Sequence, residues 1–417
     1  MSILSFVAIP SVCVIYGGRD NISRSLGLSW SVAAPISLLW GVVAFSMVYG
    51  KSDTSGVVGG LTFATINKVG SDLTIPYYSF MYAMTAMAII VGGAGAHSGL
   101  RTAPFQLFMA GSLLLNYAPL AHWFWNANGW AFKWGVIDFA GGMVLHGYAG
   151  TAVLVLGLLS KSARERPEFS SAASILAALG FFVGKQALQA AGGSSDGQWS
   201  SLGAYNTIIG AYGGALVFNV LGAAAPLGGG GAFKGAAGAS NAVKGALVGT
   251  VTMTAGAAYQ EPLWAVLSTV AASAIVYAVD FFSQRVDVAG VDCFVMHGVA
   301  GFVGSAMAGL FANNKGGRLF VLGSPYAQNY AGAFFGSARQ LGLQLAGVAF
   351  TFLLTVAMTA GLLVVVHAVF LPFGGAWEAG AAAAPAAATL SLRQAEAAAA
   401  KAPAAAERRQ AEGVVVL

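Results

Sequence analysis

Eleven apolar runs follow one another along the chain, each close to the roughly 20 residues that a helix needs to cross a bilayer. They cover residues 2–18, 28–50, 74–98, 103–125, 139–159, 171–192, 203–225, 241–259, 262–282, 293–313 and 340–370. Lipid offers no partner to a backbone N–H or C=O, so a spanning segment must satisfy them within itself or close into a barrel. Runs of this length without strict alternation select helices. The chain therefore reads as an all-α membrane protein of eleven transmembrane helices. The first run is short, and no basic residue precedes it, which argues against a cleaved signal peptide.

Composition excludes the main competitors. Hydrophobic residues make up 57% of the 417 and charged residues 8%, against about 25% charged in soluble domains, and the mean hydropathy is +0.73. The net charge of +5 does not imply nucleic acid, because the basic residues stand singly between apolar runs as loop anchors. Cys13 and Cys293 both sit in or beside apolar runs, so they offer neither a disulfide framework nor a metal knuckle. No phosphate-cradling Gly-Lys-Ser/Thr follows the Gly228-Gly-Gly-Gly231 run, which reads as a loop, and no zinc helix or nucleophile turn occurs. No cofactor or metal is expected.

An odd number of crossings puts the termini on opposite sides, and the basic residues choose between them. With the N-terminus outside, the inner loops, inner span edges and tail hold 13 of the 20 Lys and Arg residues, among them Arg24, Arg101, Arg164 and Arg166. The positive-inside rule then sets the N-terminus outside and the C-terminus in the cytoplasm. Asn21-Ile-Ser23 matches a glycosylation sequon, but it falls inside. Residues 1–373 form the membrane domain, and 374–417 read as a low-complexity Ala/Pro-rich cytoplasmic tail.

A short motif occurs twice. His146-Gly-Tyr-Ala-Gly150 in the fifth run returns as His297-Gly-Val-Ala-Gly301 in the tenth, each with an aspartate upstream, Asp138 and Asp292. An odd number of crossings per repeat inverts the second copy, giving two five-helix inverted repeats plus a C-terminal helix, with a site near the midplane between the halves. Both histidines then meet at the centre. Asp138 and His146 are eight residues apart, about 12 Å along a helix, so they are not a contact pair; Asp138 reads as a cap or as a charge at the outer mouth. The glycines after each histidine let another backbone approach closely. A single intramembrane histidine is often only an interhelical hydrogen bonder, but two at equivalent repeat positions point to a solute path. His97, His122 and His367 lack that symmetry and read as interfacial or packing residues.

The stretches Tyr117-Ala-Pro-Leu-Ala-His-Trp-Phe-Trp125, Asp138-Phe-Ala-Gly-Gly-Met-Val-Leu-His146 and Asp292-Cys-Phe-Val-Met-His297-Gly-Val-Ala-Gly resemble the ammonium transporter (Amt/Mep/Rh) family. Weaker echoes are Tyr16-Gly-Gly18, Leu39-Trp40, Phe45-Ser46 and Asn206-Thr207, and the resemblance spans nearly all of residues 1–370. It implies an eleven-helix homotrimer in which each subunit has its own pore, in the plasma membrane. Trp125 would hold ammonium at the outer site by cation–π attraction; an interfacial-belt tryptophan is the alternative. Asp138 would support that cation, and His146 and His297 would be the pore imidazoles. An intact ion in a dry passage faces a desolvation cost of order tens of kcal/mol, so deprotonation at the mouth is favoured. Imidazoles, with a pKa near neutrality, then pass on ammonia or the proton.

The departures from the family concern the pore entrance. Met87 stands where the family carries a gating phenylalanine, and Phe181-Phe-Val-Gly-Lys-Gln-Ala-Leu188 replaces its Trp-Phe-Gly-Phe-Asn-x-Gly-Ser. Leu188 thus takes the place of the cation-binding serine, with Gln186 or Gln189 as a substitute oxygen. Lys185 either faces the pore, where a charged form repels ammonium and a buried one is pushed towards its neutral form, or snorkels to the interface or pairs with a nearby acid. Ammonium transport is the primary reading. A non-conducting ammonium sensor and a channel for another neutral gas such as carbon dioxide are the alternatives, and an integral-membrane enzyme is least supported.

Overall fold

The computed structural model describes residues 2–51, 57–70, 73–95, 97–160, 162, 164, 166–192, 197–224, 235–313 and 331–378. The glycine run at 228–231 and the tail from 379 onward lie outside the described residues. Among those described, regular structure is helical apart from two isolated β-bridges. Among the described residues, the longer helical segments are labelled α1 to α11. They are α1 (Ala8–Gly17), α2 (Asn21–Tyr49), α3 (Thr74–Gly95), α4 (Thr102–Ser112 continuing through Leu113–Tyr117 and Ala118–Trp125), α5 (Gly142–Ser160), α6 (Ala172–Gly192), α7 (Gly197–Ala224), α8 (Gly235–Thr252), α9 (Pro262–Ser283), α10 (Val291–Phe311) and α11 (Ala338–Phe370). Eight of these (α2, α3, α5, α6, α7, α9, α10 and α11) contain stretches long and apolar enough to cross a membrane.

Helical backbone is continuous over Ala8–Leu39, although two separate runs are expected there. A straight helix rising about 1.5 Å per residue would put Pro10 and Ser29 roughly 28 Å apart. Instead Ile9, Pro10, Ser29 and Ala33 line one cavity, so the chain doubles back between α1 and α2. Gly17 permits the reversal, since a Cβ there would lie 2.9 Å from Ser25 Oγ. The eighth run, read as 241–259, is helical only to Thr252. Beyond it the carbonyls of Thr254 and Ala255 accept hydrogen bonds from Ala140 and Phe139, both at 3.0 Å, and so leave the helical ladder.

The repeat shows in how the helices lean on one another. The loop before α5 is bonded to the segment after α8, while the loop before α10 places Gly290 against the Gly93 carbonyl at the end of α3. Swapping α3 with α8 and α5 with α10 exchanges the two arrangements. Where α5 crosses α10, a Cβ on Gly150 would lie 2.7 Å from Gly298 Cα, and one on Gly301 would lie 3.2 Å from Gly147 N. The fourth residue after each histidine thus packs on the residue that follows the other, which is why the motif ends in glycine. In the second half α7 and α8 meet through Gly210 and Gly214 against Gly249 and Gly245.

One end of the bundle is tied together by polar contacts. Arg101 N bonds the Ala376 carbonyl at 3.0 Å, Glu378 N bonds Gly99 O at 2.8 Å, and Arg24 pairs with Glu378 at 2.8 Å. The start of α2, the α3–α4 loop and the chain after α11 therefore share that end.

Candidate functional site

His146 and His297 each lie in a π-helical turn, Gly142–Gly147 and Phe294–Val299. An extra residue per turn breaks the ordinary helical register and often marks functional positions. Both side chains are fully buried, with their Nδ1 atoms 3.0 Å apart. The ring planes differ by 3° and the centroids lie 5.1 Å apart. That exceeds the nitrogen separation by about two ring radii, so the rings lie edge to edge in one plane rather than face to face.

One proton serves the two facing nitrogens. One ring donates Nδ1–H and keeps a bare Nε2; the other accepts and carries its proton on Nε2. Neither Nε2 has a partner among the described residues, although both are buried. The pair thus ends in one donor and one acceptor, both open to a small solute. Phe181 of α6 sets its ring edge-on to both imidazoles, at 6.4 and 5.8 Å, and Tyr16 lies 5.5 Å from His297.

Trp125 closes α4 and is buried. Its indole Nε1 donates to the backbone carbonyl of Asp138 at 2.7 Å, and its ring packs on Tyr82 of α3, with centroids 5.6 Å apart. Asp138 lies in the loop three residues before the N-cap of α5, Gly141, and its carboxylate accepts from Met143 N at 2.9 Å and Val144 N at 3.0 Å, satisfying two donors that begin the helix. Gly141, at φ +88°, makes the left-handed step that brings the loop into α5. Gln344 of α11 holds the same loop from behind. Its Oε1 accepts from Ile137 N and its Nε2 donates to Ile137 O, both at 2.7 Å, while Gln340 donates to Gly135 O at 2.9 Å.

Lys185 faces inward. It is fully buried, its Nζ stands 5.8 Å over the Tyr82 ring centroid, and no acceptor among the described residues bonds it. Phe181 and Lys185 are four apart and share one face of α6, so the lysine stands one turn along from the imidazoles, beside the Tyr82–Trp125 pair. The Leu188 carbonyl accepts the Tyr82 hydroxyl at 2.8 Å and ties α6 to α3. Gln189 is fully buried and Gln186 partly so; the amide nitrogens of both lack partners. Met87 is buried within α3.

The aspartates are not equivalent partners of their histidines. Asp292, already within α10, forms a buried bidentate pair with Arg164 at 2.5 and 2.7 Å, and the guanidinium also bonds the Ser283 carbonyl at 2.6 Å. His122 bonds Val48 O at 2.8 Å, His97 approaches Tyr16 O at 3.4 Å, and His367 is exposed; none of these contacts is with the pair. Sequence reasoning missed Tyr82, Gln340, Gln344 and the role of Arg164. Two glutamines four apart at the head of an apolar helix were the available signal, because buried amides seek partners. Tyr82 sits in an aromatic stretch with nothing to mark it.

A helical membrane protein whose repeats cross at buried, half-satisfied polar groups is built to handle a small solute between its halves. Residues 2–373 match the Ammonium Transporter Family profile; the chain belongs to that family. Ammonium transporter Amt1 of Archaeoglobus fulgidus is 30% identical over 364 residues, covering 84% of this chain and 85% of the relative. The crystal structure of Saccharomyces cerevisiae Mep2 superposes with a TM-score of 0.75 at 25% identity, covering 89% of this chain and 84% of that one. A structure titled "Sensor Amt Protein" has a TM-score of 0.68 at 20% identity, covering 88% and 90%, and at that identity speaks for the fold alone.

Proposed function

We propose that this protein carries ammonium across a membrane, taking up the ion on the Trp125–Tyr82 side and passing ammonia along His146 and His297. One observation carries this reading: two coplanar buried imidazoles leave both outer Nε2 atoms unpartnered. Ammonia is itself both donor and acceptor, so it matches either end of the pair; a proton taken up at the bare Nε2 of one ring, passed between the Nδ1 atoms and released from the Nε2–H of the other leaves both rings neutral with their tautomers exchanged. The ion would shed its proton before entering, because a charge in a low-dielectric passage costs of order tens of kcal/mol. Asp138, bonded to the first turn of α5 beside Trp125, lends negative charge to the mouth. Met87, Gln186 and Leu188 line that approach in this reading, in place of aromatic and hydroxyl groups.

The working assembly is a homotrimer in the plasma membrane, each subunit crossing eleven times, with the N-terminus outside and the C-terminus cytoplasmic. Residues 1–373 form the membrane domain and 374–417 the tail. A non-conducting ammonium sensor is the second reading, favoured by the buried Lys185 standing over Tyr82 beside Trp125. The test is the electrical response of purified protein in proteoliposomes to an ammonium jump, beside His146→Ala. The expected result is a saturable current that the substitution removes. No current, with ammonium binding still detectable, would overturn transport and leave the sensor.

A further inference from the structure

We propose that Lys185 is a tethered competitor for the transported ion: its ε-ammonium head occupies the cation-holding place on the Tyr82–Trp125 side of the passage, and a solute ion must displace it to proceed. The inference rests on the transport reading and adds to it the residue that sets affinity and rate.

The head group is what makes this more than a buried lysine. A lysine Nζ has up to three N–H donors, and here none has an acceptor among the described residues although the side chain is fully buried. Buried lysines ordinarily reach a carboxylate, a carbonyl or the interface. The head group of Lys185 instead stands over the Tyr82 ring, with the Asp138 carboxylate as its source of opposite charge. That ring is backed by Trp125, whose indole is fixed by the Asp138 carbonyl. A π face with a buried carboxylate nearby is the environment that holds a free alkylammonium ion. The side chain is chemically an alkylammonium, anchored on α6 one turn from Phe181, which touches both imidazoles.

Two cations cannot share this site, since the low dielectric leaves their repulsion largely unscreened. Conduction therefore requires the lysine to withdraw or to give up its proton, and the apparent affinity is reduced to the fraction of its intrinsic value equal to the share of molecules in which it has done so. If the lysine holds the site in roughly nine molecules of ten, removing it tightens half-saturation about tenfold.

The experiment compares the full-length protein with Lys185→Met, Lys185→Gln and Lys185→Arg in proteoliposomes, measuring ammonium and methylammonium currents against concentration. Methylammonium binding to the detergent-purified proteins is measured in parallel by calorimetry. The methionine and glutamine variants should reach half-saturation at about one-tenth of the wild-type concentration, while the arginine variant, which keeps the charge, should not. A purely structural role would weaken all three alike. Should the methionine variant misfold, the glutamine variant carries the comparison. Unchanged half-saturation in a folded neutral variant, or loss of both current and binding, overturns the proposal. If no protein carries current but the neutral variants gain binding, the competitor stands and the transport reading falls.

Discussion

Replacing Gly150 by alanine tests whether the crossing of α5 and α10 sets the histidine contact. The added Cβ would lie 2.7 Å from Gly298 Cα, whereas carbon atoms rest about 3.5–4.0 Å apart. The helices must separate by roughly 1 Å, and both contacting atoms are backbone, so no side chain can swing aside. His146 sits four residues before Gly150, one turn from the new methyl. A shift of about 1 Å carries the Nδ1 pair from 3.0 Å to near 4 Å, beyond hydrogen-bonding range. The costs are overpacking, about 1–3 kcal/mol, and one buried hydrogen bond, about 1 kcal/mol. Ammonium current should fall at least tenfold, and the thermal midpoint in detergent should drop. Gly342→Ala on α11 is the control: its Cβ would meet nothing within 4 Å, and alanine should stabilise that helix by roughly 0.5–1 kcal/mol. Wild-type current and stability in the Gly150 variant would refute the argument that the glycines hold the imidazoles together.

Two further perturbations follow from the polar contacts. Arg164→Leu strands the buried Asp292 carboxylate and should cost about 3–5 kcal/mol of stability, with most of it restored in the Arg164→Leu/Asp292→Leu double variant; detergent unfolding of the four proteins in the cycle checks this. Gln344→Leu leaves both Ile137 backbone groups unpaired, about 1–3 kcal/mol each. It should loosen the loop that carries Asp138, read as faster amide exchange over residues 135–141.

How much of this was legible beforehand depends on what distinguishes one residue from its neighbours in lipid. The bilayer environment and the helical character of the spans followed from apolar length, because a spanning segment has no alternative to internal hydrogen bonding; the helix ends did not, as the eighth run stops at Thr252. The repeated His-Gly-x-Ala-Gly motif announced a meeting of α5 and α10, since a glycine pair beside an ionisable group has little other use in a span. Asp138 was readable as a partner for the first turn of α5 from its place before an apolar run. Its apparent counterpart Asp292 was not, because an arginine on another loop claims it and no spacing records that.

The direction in which Lys185 points was decided by the tertiary structure alone. In a soluble helix the polar stripe faces water and orients every other residue. The described part of α6 is largely apolar on both its lipid-facing and its inward surface, so hydropathy carries no register, and a lysine there reads equally as snorkelling outward or buried. The same lack of contrast hid Tyr82, whose hydroxyl finds the Leu188 carbonyl only once α3 and α6 are packed. The sequence thus determined that the chain lives in lipid and where its two halves meet, because those follow from backbone satisfaction and close approach; which side chains face the passage was left to packing, because lipid and protein interior are nearly the same solvent to an apolar residue.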